Sequence, residues 1–360
     1  CCSNRADFSP NNQFGDIYMH ALPRPIQLLL ALLLLLMAAY PLFGASLTGD
    51  KHDFYLQQLT SIMILAIVAL GLDLLVGVSG MVSLASAAFF GMAGYALVLF
   101  APEYQAVSIW IALPLCLGIT ALAALLMGVL IIRTSGIFFI MVTIAFSQML
   151  YYLFHDASFA GGSDGAYLFM KPTVAIAGVQ LLDLDNRTTL FYVVLASLAL
   201  LFVLLRTFLR APFGRVLLGI KENEQRVRAM GFNPLFYKLA AFVIAGTIAG
   251  YAGMLSATQY GFVSPGQLSW QMSAHILVMV ILGGMGTLFG PILGAFAFEG
   301  LHHWFASLTP HWELPMGVVV ICMVLLLPRG IAGLLLQLAQ RKRRKSAEDE
   351  LPLVIKQEAE

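Results

Sequence analysis

Three ionisable side chains, Asp73, His275 and Glu299, fall inside otherwise apolar runs of this chain. A charge at bilayer depth is costly and suggests function by default. Asp73 lies about one turn from the end of its run, so a structural hydrogen-bonding role is its simpler reading. Glu299, His302 and His303 fall near the end of another run and read as facing the membrane interface. With His311 they have no specific metal-ligand spacing. There is no chain of buried carboxylates of the kind that a proton- or sodium-driven carrier uses. No G-x-x-x-x-G-K-[ST] occurs either, because no glycine directly precedes a lysine. A phosphate-cradling loop needs both residues, so this chain does not bind ATP in that way. No nucleophile–base pair stands out. Cys116 and Cys322 read as small packing residues, and with Cys1 and Cys2 they form no disulfide or zinc pattern. The chain is therefore read as neither an enzyme nor a holder of metal or cofactor, but as something that lets a solute pass.

The elements that must position these residues are membrane helices. Hydrophobic residues make up 60% of the chain and charged residues 11%, where a soluble domain carries about a quarter charged. Apolar runs near a bilayer's thickness predict an all-α polytopic transmembrane bundle of about eight spans plus a broken, re-entrant Gly-rich segment. The runs are about 26–43, 54–77, 86–100, 107–132, 137–155, 189–209, 238–258 and 313–328. Residues 1–18 read as a disordered or non-native N-terminal extension ahead of Met19. Residues 19–335 are then the transmembrane permease domain, and 336–360 a charged cytoplasmic tail.

Basic residues set the orientation by the positive-inside rule. Arg24, Arg133, the 206–238 loop and the RKRRK tail at Arg341–Lys345 mark cytoplasmic positions, with both termini inside. The tail reads as a topology anchor touching anionic lipid. The 156–188 loop, with Asp156, Asp164, Asp183 and Asp185, suits the outer face. Parity then requires 273–304 to start and finish outside. Its interruptions at Gly283-Gly284-Met285-Gly286 and Gly290-Pro291 predict a pair of re-entrant half-helices. Non-helical backbone at membrane depth needs protein or a water-filled cavity around it, which makes the stretch a candidate for the translocation path. Equally, Gly286, Gly290 and Gly294, four apart, read as a close-packing face. A second interruption, Gly77 to Leu84, is either a broken transporter helix or a plain cytoplasmic turn. The two breaks are faintly alike. Path candidates are Gly80 and Ser83 at the first, Gly283, Gly284 and Gly286 at the second, and Ser86 and Thr143 elsewhere in the apolar runs.

Residues 211–238 form the longest charge-rich interval between two apolar runs, with Arg215, Lys221, Arg226, Arg228 and Lys238 against Glu222 and Glu224. Asn223 can cap a short helix there. Glu224 favours its start, Arg226 and Arg228 its end, and Gly231 can stop it after Ala229 and Met230. Such a helix of about two turns is unstable alone in water and must lean on something, a cytosolic partner being the natural candidate. Neither ATP site nor ion relay lies on this chain, so a permease driven by a separate ATPase fits, with an ion-coupled secondary transporter as the alternative.

The ordered motifs from residue 60 to 335 carry a family resemblance. They are ALGLDLLVGVSGMVSLASAAFFGMAGYAL from Ala69 to Leu97, IRTSGIFFIMVTIAFSQML from Ile132 to Leu150, and GGSDG at Gly161–Gly165. APFGRVLLGIKENEQRVRAMGFNPLFYKLAAFVIAG, LVMVILGGMGTLFGPILGA and PRGIAGL at Pro328 follow. The chain resembles the LivM-type permeases of branched-chain amino acid ABC transporters. The resemblance implies a bacterial inner-membrane subunit paired with a LivH-type permease, two cytosolic ATPase subunits holding ATP-Mg, and a periplasmic substrate-binding protein. It implies no nucleic-acid partner and no cofactor on this chain. It also makes Glu222, Glu224, Arg226, Arg228, Ala229, Met230 and Gly231 the segment that docks on the ATPase, and leucine, isoleucine or valine the solute. Where the family often has Gly-His, this chain has Ala85-Ser86, and permeases for urea, amides and other amino acids share the motifs, so the substrate stays open.

Overall fold

Apolar length is what the chain uses to build its helices. A computed structural model describes residues 31–41, 51–102, 106–176, 179–327 and 330–337. The helices, in chain order, are α1 (Ala31–Pro41), α2 (His52–Asp73), α3 (Ser86–Phe100), α4 (Ile109–Ile131), α5 (Ile137–Asp156) and α6 (Arg187–Arg210). They continue with α7 (Pro212–Ala229), α8 (Pro234–Tyr260), α9 (Trp270–Gly283), α10 (Phe289–Leu308) and α11 (Glu313–Leu326), and α12 (Gly330–Gln337). Among the described residues, five helices are long and apolar enough to cross a membrane, or six if the bent pair α11–α12 is one span. Of the expected runs, 86–100 is a 15-residue helix, about 22 Å at the α-helical rise and short of a bilayer's hydrocarbon core. The expected N-terminal extension, Cys1, Cys2, Arg24 and the RKRRK tail lie outside the described residues.

Burial separates an inner layer from an outer one. In α2, 89% of the most apolar window is buried, and in α8 67%, against 33%, 28% and 33% in α4, α5 and α6. From Ile62 to Leu72, α2 is apolar all round, as a helix at the centre of a bundle must be. Small residues let α8 approach its neighbours closely: a Cβ on Gly253 would run into the Phe90 carbonyl of α3, and one on Gly250 into Thr120 of α4. Close backbone approach is the main source of helix association where lipid removes the hydrophobic drive.

Two ends of the bundle are distinguishable. One carries α7 and the 132–136 turn. The other carries the loop between α5 and α6, where β1 (Ala166–Tyr167) pairs antiparallel with β4 (Phe262–Val263). In the same loop β2 (Val174–Ile176) forms a hairpin with β3 (Val179–Leu182). Two ion pairs, Arg187–Asp53 at 3.3 Å and Lys171–Asp185 at 3.0 Å, hold this second end.

Candidate functional site

The first break follows directly from α2. Directly after Asp73, Leu74–Val78 wind as a π-helical turn, and the chain then runs without helix to Ala85. π-turns inside helices are rare and concentrate at functional sites. The Leu75 carbonyl accepts twice, from the Ser79 hydroxyl at 2.7 Å and from the Met81 amide at 2.9 Å, which ties the start of the non-helical stretch back to the turn. The strand of chain is held from the side as well: the Leu84 amide donates to Thr143 Oγ1 of α5 at 3.2 Å, and the Ala85 amide to Ser83 Oγ at 3.3 Å.

Helix α3 therefore begins within the bundle, and a second interrupted stretch meets it there. The Ala87 amide in the first turn of α3 donates to Ser273 Oγ of α9 at 3.0 Å. The Ser147 hydroxyl of α5 donates to the Leu268 carbonyl just ahead of α9 at 3.1 Å. Ser269 caps α9, accepting from the Met272 amide at 3.3 Å. Two short helices thus open side by side in a buried layer lined by Ser83, Ser86, Thr143, Ser147 and Ser273, all under 9% exposed. Ser86 Oγ is buried there without a partner.

The second break is a tight turn, residues 284–288, between α9 and α10. Asp73 holds it: the Gly286 amide donates to one carboxylate oxygen at 2.7 Å and the Leu288 amide to the other at 3.3 Å. Leu288 has φ 54, the sole non-glycine residue with positive φ among the described residues. That conformation costs about 1–3 kcal/mol and persists because Asp73 over-determines it. Asp73 thus takes the structural role. The surrounding glycines are packing surfaces: a Cβ on Gly283 would strike the Gly290 carbonyl, one on Gly294 the Met279 carbonyl, and one on Gly330 the Gly284 backbone. Gly283, Gly284 and Gly286, expected as path candidates, lie in this close-packed turn.

A cavity of about 410 Å³ opens at the α7 end. It is lined by Ser79, Gly80, Met81 and Val82 of the first break, by Thr134–Ile137, Phe139 and Ile140 around the start of α5, and by Lys221 and Lys238. Of the path candidates it reaches Gly80. Ser83, Ser86 and Thr143 lie beyond it in the buried layer, and Gly283, Gly284 and Gly286 are not in its wall.

In the 211–238 interval, α7 starts at Pro212 and is longer than the two turns expected, because GRVLLGI before the charged residues is amphipathic and buries Leu217 and Ile220. Asn223 is extended (φ −158) and kinks the helix, and its Oδ1 accepts from the Arg226 amide at 3.0 Å, so the expected cap is where the second half begins. Gly231, with φ 89, follows the helix end. Glu224 accepts from Lys238 at 2.6 Å and from Arg228 at 3.1 Å. The Lys238 hydrogen bond, with smaller help from the Lys238 and Arg228 charges and against partial burial, holds the Glu224 carboxyl below its ordinary range. Glu222, Arg226, Arg228, Ala229, Met230 and Gly231 are all exposed. Beside them Phe232, Leu235 and Phe236 are exposed too, Phe236 by 63% and Met230 by 61%. The charge pattern drew attention away from this apolar patch, whose signal was four large apolar residues flanking Gly231. Ser147 and Ser273 were also missed; each is a lone serine in an apolar run, a weak sign without its neighbours.

A multi-pass helical membrane protein with two interrupted helices meeting at its centre is the architecture these residues define. The family model for the permease component of branched-chain amino acid transport systems matches residues 54–327, and the chain belongs to that family. It is 30% identical to the high-affinity branched-chain amino acid transport permease LivM of Salmonella typhimurium over 76% of this chain and 68% of the relative. Its identity to LivM of Escherichia coli is 29%, over 85% and 74%. The autoinducer 2 import permease LsrC of Photorhabdus laumondii matches at 31% over 32% of this chain and 35% of its own length. No solved structure matches. The chain is thus a transport permease component.

Proposed function

We propose that this chain is a permease subunit of an ATP-binding-cassette importer that passes leucine, isoleucine or valine unmodified across a bacterial inner membrane. The observation that carries the reading is the pairing of an open cavity with an exposed apolar patch on one end of the bundle. Exposed contiguous apolar groups beside charge mark a protein-docking surface. Basic residues put that end in the cytoplasm, with both termini on the same side. The patch around Met230, with Arg226 and Arg228, is the docking element for a cytosolic ATPase. Two such ATPase subunits, holding ATP-Mg, a LivH-type second permease and a periplasmic binding protein complete the transporter, and this chain holds no cofactor of its own. The path runs from the serine-lined layer at Ser83, Ser86 and Thr143, past Gly80, into the cavity. Gly283, Gly284 and Gly286 support that path from behind. The domain limits proposed are 19–335 for the permease and 336–360 for the tail.

The test is reconstitution of the complete transporter in proteoliposomes with labelled leucine. ATP-dependent uptake that vanishes without the ATPase supports the reading; uptake by this chain alone on an ion gradient replaces it with the secondary-transporter class. Met230→Glu with Phe236→Glu is expected to abolish ATPase co-purification while membrane insertion persists. Full ATPase binding by that variant removes α7 from the docking role.

A further inference from the structure

We propose that Lys221 is a positioning residue, the strut that fastens α7 to both broken segments so that a displacement of α7 enters the membrane core as one movement. The inference rests on the reading of α7 as the ATPase-docking element. Lys221 Nζ donates to the Gly77 carbonyl at 2.7 Å. Gly77 sits in the π-turn at the end of α2, where helix-end carbonyls lack intrahelical partners and basic side chains satisfy them. The other side of Gly77 has no room: a Cβ there would run into the Asp73 carboxylate and the Gly286 backbone. One peptide unit is thus held between the Lys221 ammonium and the 284–288 turn. The stem of Lys221 also lies along Gly80, at the start of the stretch that leads to Ser83.

The kink at Asn223 divides the labour of α7. Lys221, before the kink, reaches inward to the first break, while Glu224, after it, is taken by Lys238 of α8. The second cation in the cavity wall is therefore already committed elsewhere, and Lys221 is the one that touches the broken backbone. A contact route transmits coupling only through an element with two arrangements. The π-turn is that element, because reversion to α-helical register would shift residues 79–85 along the path.

The experiment uses the complete transporter carrying Lys221→Met, which keeps the stem along Gly80 and removes the ammonium, beside Lys221→Arg, which keeps a donor for the Gly77 carbonyl. In Lys221→Met, ATPase binding and ATP hydrolysis are expected to stay near the parent level while leucine uptake falls about tenfold or more. In Lys221→Arg uptake is expected to return toward the parent level, a rescue that a merely structural loss would not show. Normal uptake in Lys221→Met, or equally low uptake in both variants, overturns the proposal. So does loss of ATPase binding in Lys221→Met, which would make Lys221 part of the docking surface. Failure of the underlying docking reading appears separately, as intact ATPase binding in the Met230→Glu, Phe236→Glu variant.

Discussion

At residues 74–85 the chain leaves helical register, packed at Gly77 against Asp73 and Gly286 but opening at Ser79–Val82 onto a cavity. At residues 284–288 the chain also leaves register, yet the glycines around that turn have no room: a Cβ on Gly283, Gly290, Gly294 or Gly330 would meet backbone. Both breaks are glycine-rich and both interrupt apolar helices, so composition describes them alike. What differs is what stands opposite. The second break is closed by Gly290, Gly294 and Gly330, which are themselves glycines and let backbones touch. The first faces the short polar edge of α5 and the long side chain of Lys221, which cannot fill the volume. One break is a joint and the other is a mouth.

That contrast can be broken most forcefully at Gly294. Gly294→Leu should prevent folding, a loss of more than about 3 kcal/mol by overpacking, read as absent monodisperse protein after detergent extraction. A folded variant with normal uptake would mean that α9 and α10 are not in backbone contact. Asp73→Asn comes next. It keeps one acceptor for the Gly286 amide but sets an NH₂ against the Leu288 N–H, and should lower stability by about 2–3 kcal/mol, visible as a drop in thermal midpoint. An unchanged midpoint would show that the turn holds itself.

The Glu224 tie gives a smaller, pH-dependent effect. Its folded pKa is depressed, so its contribution is complete near neutrality and is lost as pH falls from about 4.3 through the folded value. Midpoints measured from pH 7 to pH 3 should therefore decline less steeply in Lys238→Met than in the parent. Identical slopes would mean that the pair contributes nothing. Ser86→Ala should have the least effect on stability, within about 0.5 kcal/mol, because the hydroxyl has no partner to lose. Uptake is the sharper readout there: a large fall in leucine transport with unchanged midpoint would place Ser86 on the path, and an unchanged rate would leave the first break with a lining formed by Gly80 and Ser83.

Much of the fold was legible because lipid imposes long apolar helices, and 54–77, 107–132, 137–155, 189–209 and 238–258 each correspond to a full-length helix. The cap at Asn223 was legible because it is local, involving one side chain and an amide three residues on. The extent of α7 was not, since residues 212–222 owe their helix to burial of Leu217 and Ile220 against the bundle. Nor was Lys221 singled out as a site residue: a lysine in a basic loop is indistinguishable from a topology signal until its carbonyl partner, 144 residues away in sequence, is in view.

By itself the sequence determined the class of the molecule: a helical membrane protein without an ATP-binding loop or a carboxylate relay, broken at two glycine-rich places and carrying a basic interval. These are properties of composition and short spacing, which need no partner to read. Only the tertiary structure decided that Asp73 is a clamp, that Ser86 is buried without a partner, and which break is closed and which opens on a cavity. The reason is physical: a glycine's meaning is set by the atom that would meet its missing side chain, and that atom comes from a distant part of the chain.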